Sequence, residues 1–163
     1  MTGTWDDRVA AVWADETLSD DAVVAAIDAL AAERPADDAR ALFERAGARD
    51  AAGEEADAEP LYRAALDAGL DDEHRPQAVI QLASTLRNLG EHDEAVTMLR
   101  GEMTRDPASP LKDEAAAFLA LALVSAGDAR EAASIALLTL APHLSKYTRS
   151  VVWYAEELTR DAP

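Results

Sequence analysis

The feature that most constrains the fold is a repeat of 37 residues, which aligns three times without gaps. Glycine recurs at Gly53, Gly90 and Gly127, and an alanine stands five residues after each one. The aligned segments read GEEADAEPLYRAAL, GEHDEAVTMLRGEM and GDAREAASIALLTL. Periods of this length are typical of stacked helix pairs, because one pair alone cannot bury its apolar face. The repeat therefore predicts a series of packed helical hairpins.

Each repeat predicts two helices joined at its glycine. The first helix is amphipathic, and in the middle unit one face carries Val79, Leu82, Ala83, Leu86 and Leu89. Glycine then turns the chain, since it tolerates positive φ at a helix C-terminus. Acidic residues follow at once, where the dipole of the second helix favours them. Alanines in register mark the predicted contact between the helices, namely Ala46, Ala83 and Ala120 in the first helices and Ala58, Ala95 and Ala132 in the second.

The flanking segments are expected to extend this stack into a single domain of residues 1–163 with about nine helices. Thr4 and Ser19 each precede an acid-rich first turn and are predicted N-caps, so residues 1–35 form a degenerate hairpin. Residues 37–142 hold the three units. Ser145 is expected to begin a helix, with residues 143–163 as a C-terminal cap that solvates the end of the stack. Pro60 interrupts the second helix of unit one, which is either kinked or begins late with Asp57 as its cap, and we favour the late start.

Composition favours the same all-α class. Apolar residues make up 49% of the chain, alanine supplies much of that share, and aromatic residues are only 5%. Alanine is the best helix former, and small side chains let helices approach closely. The formal net charge of −17 repels phosphate backbones and anionic lipid surfaces. We therefore expect neither nucleic acid nor membrane as a partner. The start MTGTWDDRVAAVWADE lacks the basic and apolar stretches of a signal peptide, and no apolar segment approaches the roughly 18 residues that span a bilayer, so we expect a cytoplasmic location.

The residues that carry most enzyme chemistry are missing or isolated. There is no cysteine, and His74, His92 and His143 stand singly without metal-ligand spacing, as solvated surface residues. No phosphate-binding glycine loop or GxSxG motif occurs. The acidic pairs lie at helix starts and turns, where capping explains them. The sequence thus predicts no catalytic residue, no metal site and no cofactor.

The repeat resembles the tetratricopeptide repeat over residues 37–142. The matching elements are the small residue of the first helix, the turn glycine, the second-helix alanine, and Pro107 and Pro142 at the ends of units. Leu42 and Tyr62 fill larger positions of the pattern and Arg49 departs from it. The run YRAALDAGL followed by IQLASTLRNLGEHDEAV is similar to a small bacterial group of tetratricopeptide proteins, of actinobacterial type, whose biochemical role is undefined. The resemblance implies a right-handed superhelical stack, a concave groove lined by first helices, and protein–protein scaffolding.

The candidate binding surface is a stripe in the middle unit that is free of acidic residues. It carries Gln77, Gln81, Ser84 and Asn88 on the side opposite the core face, with Ile80 and Arg87 beside it. Uncharged amides suit a peptide backbone, and Arg87 offers a bidentate donor for a carboxylate. Shifting by one repeat extends the predicted groove to further positions, which are Arg40, Phe43, Glu44 and Gly47 in unit one and Glu114, Ala117, Phe118, Leu121, Val124 and Ser125 in unit three.

Other interpretations of the stripe stay open. In one, the amides are exposed to water alone. In another, the N-terminal hairpin covers them. A third alternative places Phe118 and Leu121 in the core, in contact with the C-terminal helix. The tetratricopeptide subgroup that grips chaperone C-termini uses several basic and amide residues, and of these places only Gln81 fits, so chaperone binding is not predicted. The leading function is a non-catalytic protein- or peptide-binding adaptor. The alternative is self-assembly, including a possible homodimer, because Trp153 and Tyr154 lie in the last helix.

Overall fold

The computed structural model describes residues 3–160, and all the regular structure in that range is helical. The chain divides into two compact units, one ending at Thr85 and the other beginning at Leu86, inside the fifth helix. We call these the first unit and the second unit. The single domain expected from the sequence stays a prediction, and its ends at residues 1 and 163 lie outside the described residues.

Successive helices pack on one another within each unit, which confirms the all-α class. The first unit contains α1 (Trp5–Trp13), α2 (Asp20–Ala31), α3 (Ala39–Ala51), α4 (Glu55–Asp67) and the start of α5 (Arg75–Leu89). The second unit contains the end of α5 and then α6 (His92–Arg105), α7 (Lys112–Ala126), α8 (Ala129–Leu140), a 3-10 turn (Ala141–His143) and α9 (Thr148–Arg160). Residues 3–160 include no helix with the length and apolar character that crossing a membrane requires.

The three repeat glycines end three helices with the same motif. Gly53, Gly90 and Gly127 have φ of 77°, 91° and 94°, a conformation that a side chain disfavours. After each glycine, the next residue donates its backbone N–H to the carbonyl five residues earlier, at 2.9 Å from Glu54 and at 2.8 Å from both Glu91 and Asp128. This is the long bond of the Schellman motif, and it satisfies a carbonyl at the helix end. The predicted turn thus recurs with its hydrogen bond at every period.

The alanines that the repeat places in register are all buried. Ala46, Ala58 and Ala95 have no exposed surface, and the most exposed of the six, Ala120, retains 8%. In the first unit, Val9, Ile27 and Ala48 form a further buried cluster with partly buried Trp5 and Val12. The Trp5 indole Nε1–H also donates to the carbonyl of Leu30 at 2.9 Å. These contacts pack α1 against α2, and the hairpin of residues 1–35 as a degenerate repeat stays a prediction.

The predicted N-caps Thr4 and Ser19 are confirmed. Thr4 accepts a hydrogen bond from the backbone N–H of Asp7 at 3.1 Å, and the Asp7 carboxylate accepts one from the N–H of Thr4 at 2.8 Å. This reciprocal pair is a capping box, which satisfies two donors that the helix itself leaves unpaired. The Ser19 side chain accepts from the N–H of Ala22 at 3.3 Å.

The late start favoured for the helix around Pro60 is wrong. Helix α4 begins at Glu55 and runs through Pro60, and Glu54 rather than Asp57 occupies the N-cap position without a side-chain bond. The missing N–H of Pro60 leaves only the carbonyl of Ala56 without its helical donor. Both Ala56 and Pro60 are exposed, so water can hydrate that carbonyl and the helix continues.

The last helix also begins later than expected. It starts at Thr148 rather than at Ser145, because the chain first makes the 3-10 turn and then passes through Tyr147 in a left-handed conformation, φ 66°. A non-glycine residue with positive φ cannot continue a right-handed helix. The 3-10 turn and Tyr147 therefore delay the start of α9 to Thr148.

Candidate functional site

The first unit contains an open cleft of about 370 Å³ between the end of α1, the inner side of α3 and the start of α5. We call it the Trp13 cleft. Its walls are formed by Trp13, Arg40, Phe43, Glu44, Gly47, Asp50, Ala51, His74, Gln77 and Gln81. Trp13 is the last residue of α1, so the N-terminal hairpin supplies one wall while first helices of the repeat supply the rest.

Trp13 is held in place by a hydrogen bond to a buried carboxylate. Its indole Nε1–H donates to Glu44 Oε2 at 2.6 Å, and the Arg40 guanidinium pairs with Glu44 Oε1 one helical turn away. Glu44 is only 5% exposed, so its charge needs these partners to offset desolvation. The ring passes close to α3 at Gly47, where an added Cβ would stand 3.6 Å from Trp13 Cζ2, an ordinary contact distance. Glu44, a predicted groove residue, is therefore paired within the protein with Trp13 and Arg40.

Aromatic rings form the apolar wall of the Trp13 cleft. Phe43 is 6% exposed, with its ring centroid 6.3 Å from that of Tyr62 and 6.0 Å from that of His74. The Arg40 guanidinium carbon lies 5.6 Å from the Phe43 centroid, within cation–π range. His74 also bonds to Asp71 Oδ1 through Nδ1 at 2.7 Å. The expectation of a solvated surface His74 is therefore wrong, because the ring packs against Phe43 and its side chain is 17% exposed.

Asp50 supplies a negative group at the edge of the Trp13 cleft. Thr85 Oγ1–H donates to Asp50 Oδ1 at 3.0 Å, and the Tyr62 hydroxyl donates to Asp50 Oδ2 at 3.3 Å. Burial raises the pKa of Asp50 above its ordinary value, and the two hydrogen bonds offset part of that effect. Burial and then the neighbouring Asp50 charge raise the pKa of Tyr62, which keeps its phenol protonated as a donor.

The two predicted amides differ in their hydrogen bonding. Gln77 Nε2–H donates to the backbone carbonyl of Glu73 at 3.3 Å. Gln81 Oε1 is buried and has no hydrogen-bond partner among residues 3–160. A buried acceptor without a donor costs about 1–3 kcal/mol. Gln81 lines the Trp13 cleft, and its buried Oε1 is an acceptor without a donor among residues 3–160.

The structure brings six of the predicted groove positions into this one cleft, which are Arg40, Phe43, Glu44, Gly47, Gln77 and Gln81. Ser84 is partly buried further along α5. Ile80 does not flank an open stripe, because it is 7% exposed and lies about 100° around the helix from Gln81, on the packed side. The predicted surface is thus narrower than a full stripe along α5.

The second unit holds the other predicted site residues. Arg87 is partly buried and its Nη2–H donates to Asn88 Oδ1 at 3.2 Å, while Asn88 is exposed. On α7, Glu114 is exposed, Phe118 is partly buried and Leu121 is 49% exposed. Burial of Leu121 in the core, one of the alternatives drawn from the sequence, is therefore wrong.

A family model for the tetratricopeptide repeat matches residues 39–158, from the start of α3 into α9. The chain belongs to the tetratricopeptide-repeat family. Tetratricopeptide repeats generally mediate protein–protein interaction, typically as non-catalytic scaffolds, which supports a scaffold role with protein partners for this chain. No curated protein matches the sequence.

Four residues that line the Trp13 cleft are not predicted as groove positions from the sequence, namely Trp13, Asp50, Ala51 and His74. Trp13 ends α1, which lies outside the matched tetratricopeptide region. The available signal was Gly47, a glycine on the predicted inner face of α3, since a missing side chain inside a helix leaves space for a ring from elsewhere. Asp50 and His74 lie outside the predicted stripe, and the packing of α3, α4 and α5 places them at the Trp13 cleft.

Proposed function

We propose that this tetratricopeptide-repeat protein is a non-catalytic scaffold that binds a segment of a partner protein in the Trp13 cleft. The observation that carries the proposal is the buried, unpartnered Gln81 Oε1 beside the aromatic walls of Trp13 and Phe43. A partner N–H that reaches this oxygen would form a hydrogen bond that the free protein lacks. Trp13 is 42% exposed and presents apolar surface to the same segment.

The charges of the cleft favour a segment with a basic residue. Arg40 is already paired with Glu44, whereas both oxygens of Asp50 face neutral hydroxyl donors. The polar groups that remain for a ligand are therefore the acceptors Gln81 and Asp50. The net charge of −17 also attracts a basic partner over distance at low salt. A lysine or arginine side chain combines the N–H donor, the positive charge and an apolar stem.

The second unit carries the remaining predicted site residues and is considered by itself. Arg87, Asn88, Glu114, Phe118 and Leu121 are proposed partner contacts of the second unit, and Ser84 is a further proposed contact of the first unit. Leu121 and the neighbouring Val124 are 49% and 56% exposed, so this face of α7 offers apolar area. We expect partner contacts on α7 to be mainly apolar.

The test is selection of binding peptides from a random library on the full chain, followed by calorimetric titration. We expect selected peptides to carry a lysine or arginine next to an apolar residue. Gln81→Leu keeps similar size and removes the acceptor, so affinity should fall about tenfold, the equivalent of one net hydrogen bond to a charged donor. The matched control is Gln77→Leu, the same change one turn earlier, where the amide already donates to Glu73. Its effect should be less than about threefold.

Two results would argue against this function. Equal affinity in the wild type and Gln81→Leu would show that the buried oxygen does not meet the ligand. Selected peptides without basic residues would remove the charge argument, even if binding at the cleft were retained.

A different observation supports the second function, self-assembly. Trp153 and Tyr154 on α9 are 50% and 60% exposed, so the last helix presents apolar surface to solvent. Exposed aromatic patches are enriched at protein interfaces. Sedimentation equilibrium over a wide concentration range at physiological salt tests it. The mass should rise above that of one chain, and a constant single-chain mass would reject self-assembly.

A further inference from the structure

The longest run of this acidic chain without an acidic residue is Ala132–Ala155, between Glu131 and Glu156. It contains two basic residues, Lys146 and Arg149. It also carries five of the large apolar residues that the described structure exposes, which are Leu138, Leu140, Tyr147, Trp153 and Tyr154. Low negative charge and exposed aromatic surface therefore coincide at the C-terminal end of the second unit.

The exposed side of α9 has an ordered charge pattern around Trp153. Arg149 lies four residues before Trp153 and Glu157 four residues after it, and all three are exposed on one face. The Trp153 and Tyr154 rings pack edge to face, with centroids 5.0 Å apart and planes at 78°. The opposite side of α9 is buried at Ala155. We call Arg149, Ser150, Trp153, Tyr154 and Glu157 the α9 face.

The charge pattern of the α9 face is complementary to itself. When two copies of a helix cross antiparallel about a two-fold axis, residues equally far before and after the axis lie opposite each other. With the axis at Trp153, Arg149 of each copy lies opposite Glu157 of the other. No acidic side chain among residues 3–160 pairs with Arg149 within its own chain, so the guanidinium is available.

We propose that the α9 faces of two copies pair antiparallel about Trp153, with Arg149 and Glu157 forming two symmetric ion pairs at the rim of an aromatic contact. This rests on the self-assembly function and adds its interface and register. A second copy fits better than an unrelated partner because its charges match at both ends of the face. The helix has 13 residues, so the contact is about 20 Å long and smaller than a standard interface. The dimer should therefore be weak, with a dissociation constant in the micromolar range.

The test is a charge exchange followed by sedimentation equilibrium of the full chain. Arg149→Glu places two acids opposite each other at both rims, and Glu157→Arg places two bases there. Each single variant should dimerise about tenfold more weakly than the wild type. An equal mixture of the two variants should dimerise as well as the wild type, because every Glu then meets an Arg of the other chain. Lys112→Glu, which changes the net charge as Arg149→Glu does at an exposed position of α7, should leave dimerisation unchanged.

The outcomes separate this inference from the function on which it rests. A wild type that stays a single chain at every concentration rejects both. A wild-type dimer that both single variants form equally well, or a mixture that regains no affinity, keeps self-assembly and overturns the antiparallel α9 register. Circular dichroism of each variant shows whether its helices are intact. The mixture contains only these same two variants, so recovered dimerisation reports the Arg–Glu pairing between chains.

Discussion

Replacing Gly47 with alanine should stabilise the protein, and the gain follows from the structure around Trp13. Gly47 lies inside α3, where glycine is about 0.8–1.0 kcal/mol less favourable than alanine. An added Cβ would stand 3.6 and 3.8 Å from two carbons of the Trp13 ring and 3.9 Å from the Tyr62 hydroxyl, all ordinary contact distances. No steric cost therefore opposes the gain, and the free energy of unfolding should rise by about 1 kcal/mol.

Urea unfolding followed by circular dichroism measures this change, and a melting experiment should show a rise of roughly 2–4 °C for a chain of this size. The control is Gly101→Ala, inside α6, where an added Cβ meets no atom of the described residues within 4 Å. Both variants should gain similar stability. If the free energy of unfolding of Gly47→Ala is more than about 1 kcal/mol below that of Gly101→Ala, the added Cβ clashes with Trp13, and the ring lies closer to α3 than the 3.6 Å contact distance.

Three further changes test the ionic and capping contacts of the first unit. Asp50→Asn should become more stable relative to the wild type as pH rises from 3.8 through the raised pKa of Asp50. The wild-type fold loses stability over that range because the buried carboxyl ionises, and urea titrations at several pH values check this. Asp28 has the opposite sign, since its hydrogen bond to Arg49 and then that to Arg45 lower its pKa. Asp28→Asn should cost about 1 kcal/mol at neutral pH, and the difference should vanish as pH falls through that lowered pKa. Thr4→Ala removes the capping box of α1 and should cost about 1 kcal/mol in the same assay.

Repeat geometry is the part of the fold that the sequence predicts best. Gly53, Gly90 and Gly127 each need a left-handed turn, and no other residue type makes that turn at so little cost, so their spacing fixes where three helices end. Thr4 and Ser19 act within one helical turn of themselves, and local hydrogen bonds of this kind are visible in a short stretch of sequence.

Features that depend on solvent access or on distant packing are harder to predict. Pro60 is tolerated in α4 because it faces water. The two alternatives drawn from the sequence, a kink or a late start, consider the missing N–H of proline but not the exposure of the carbonyl that it leaves without a donor. Tyr147 adopts positive φ without being glycine, so nothing local marks the break before α9. Predicted positions on α3 and α5 reached the candidate site, whereas Trp13 reached it from α1 through a bond to Glu44 that joins residues 31 positions apart.

The most direct test of the binding site uses the three tryptophans, which lie in different places. Trp13 forms a wall of the Trp13 cleft, Trp5 belongs to the cluster between α1 and α2, and Trp153 lies on the α9 face. A nitrogen–proton NMR titration with a selected basic peptide follows their indole N–H signals separately. We expect the Trp13 signal to shift with saturation at the calorimetric affinity, while those of Trp5 and Trp153 stay fixed. A shift at Trp153 with no change at Trp13 would contradict the proposed site.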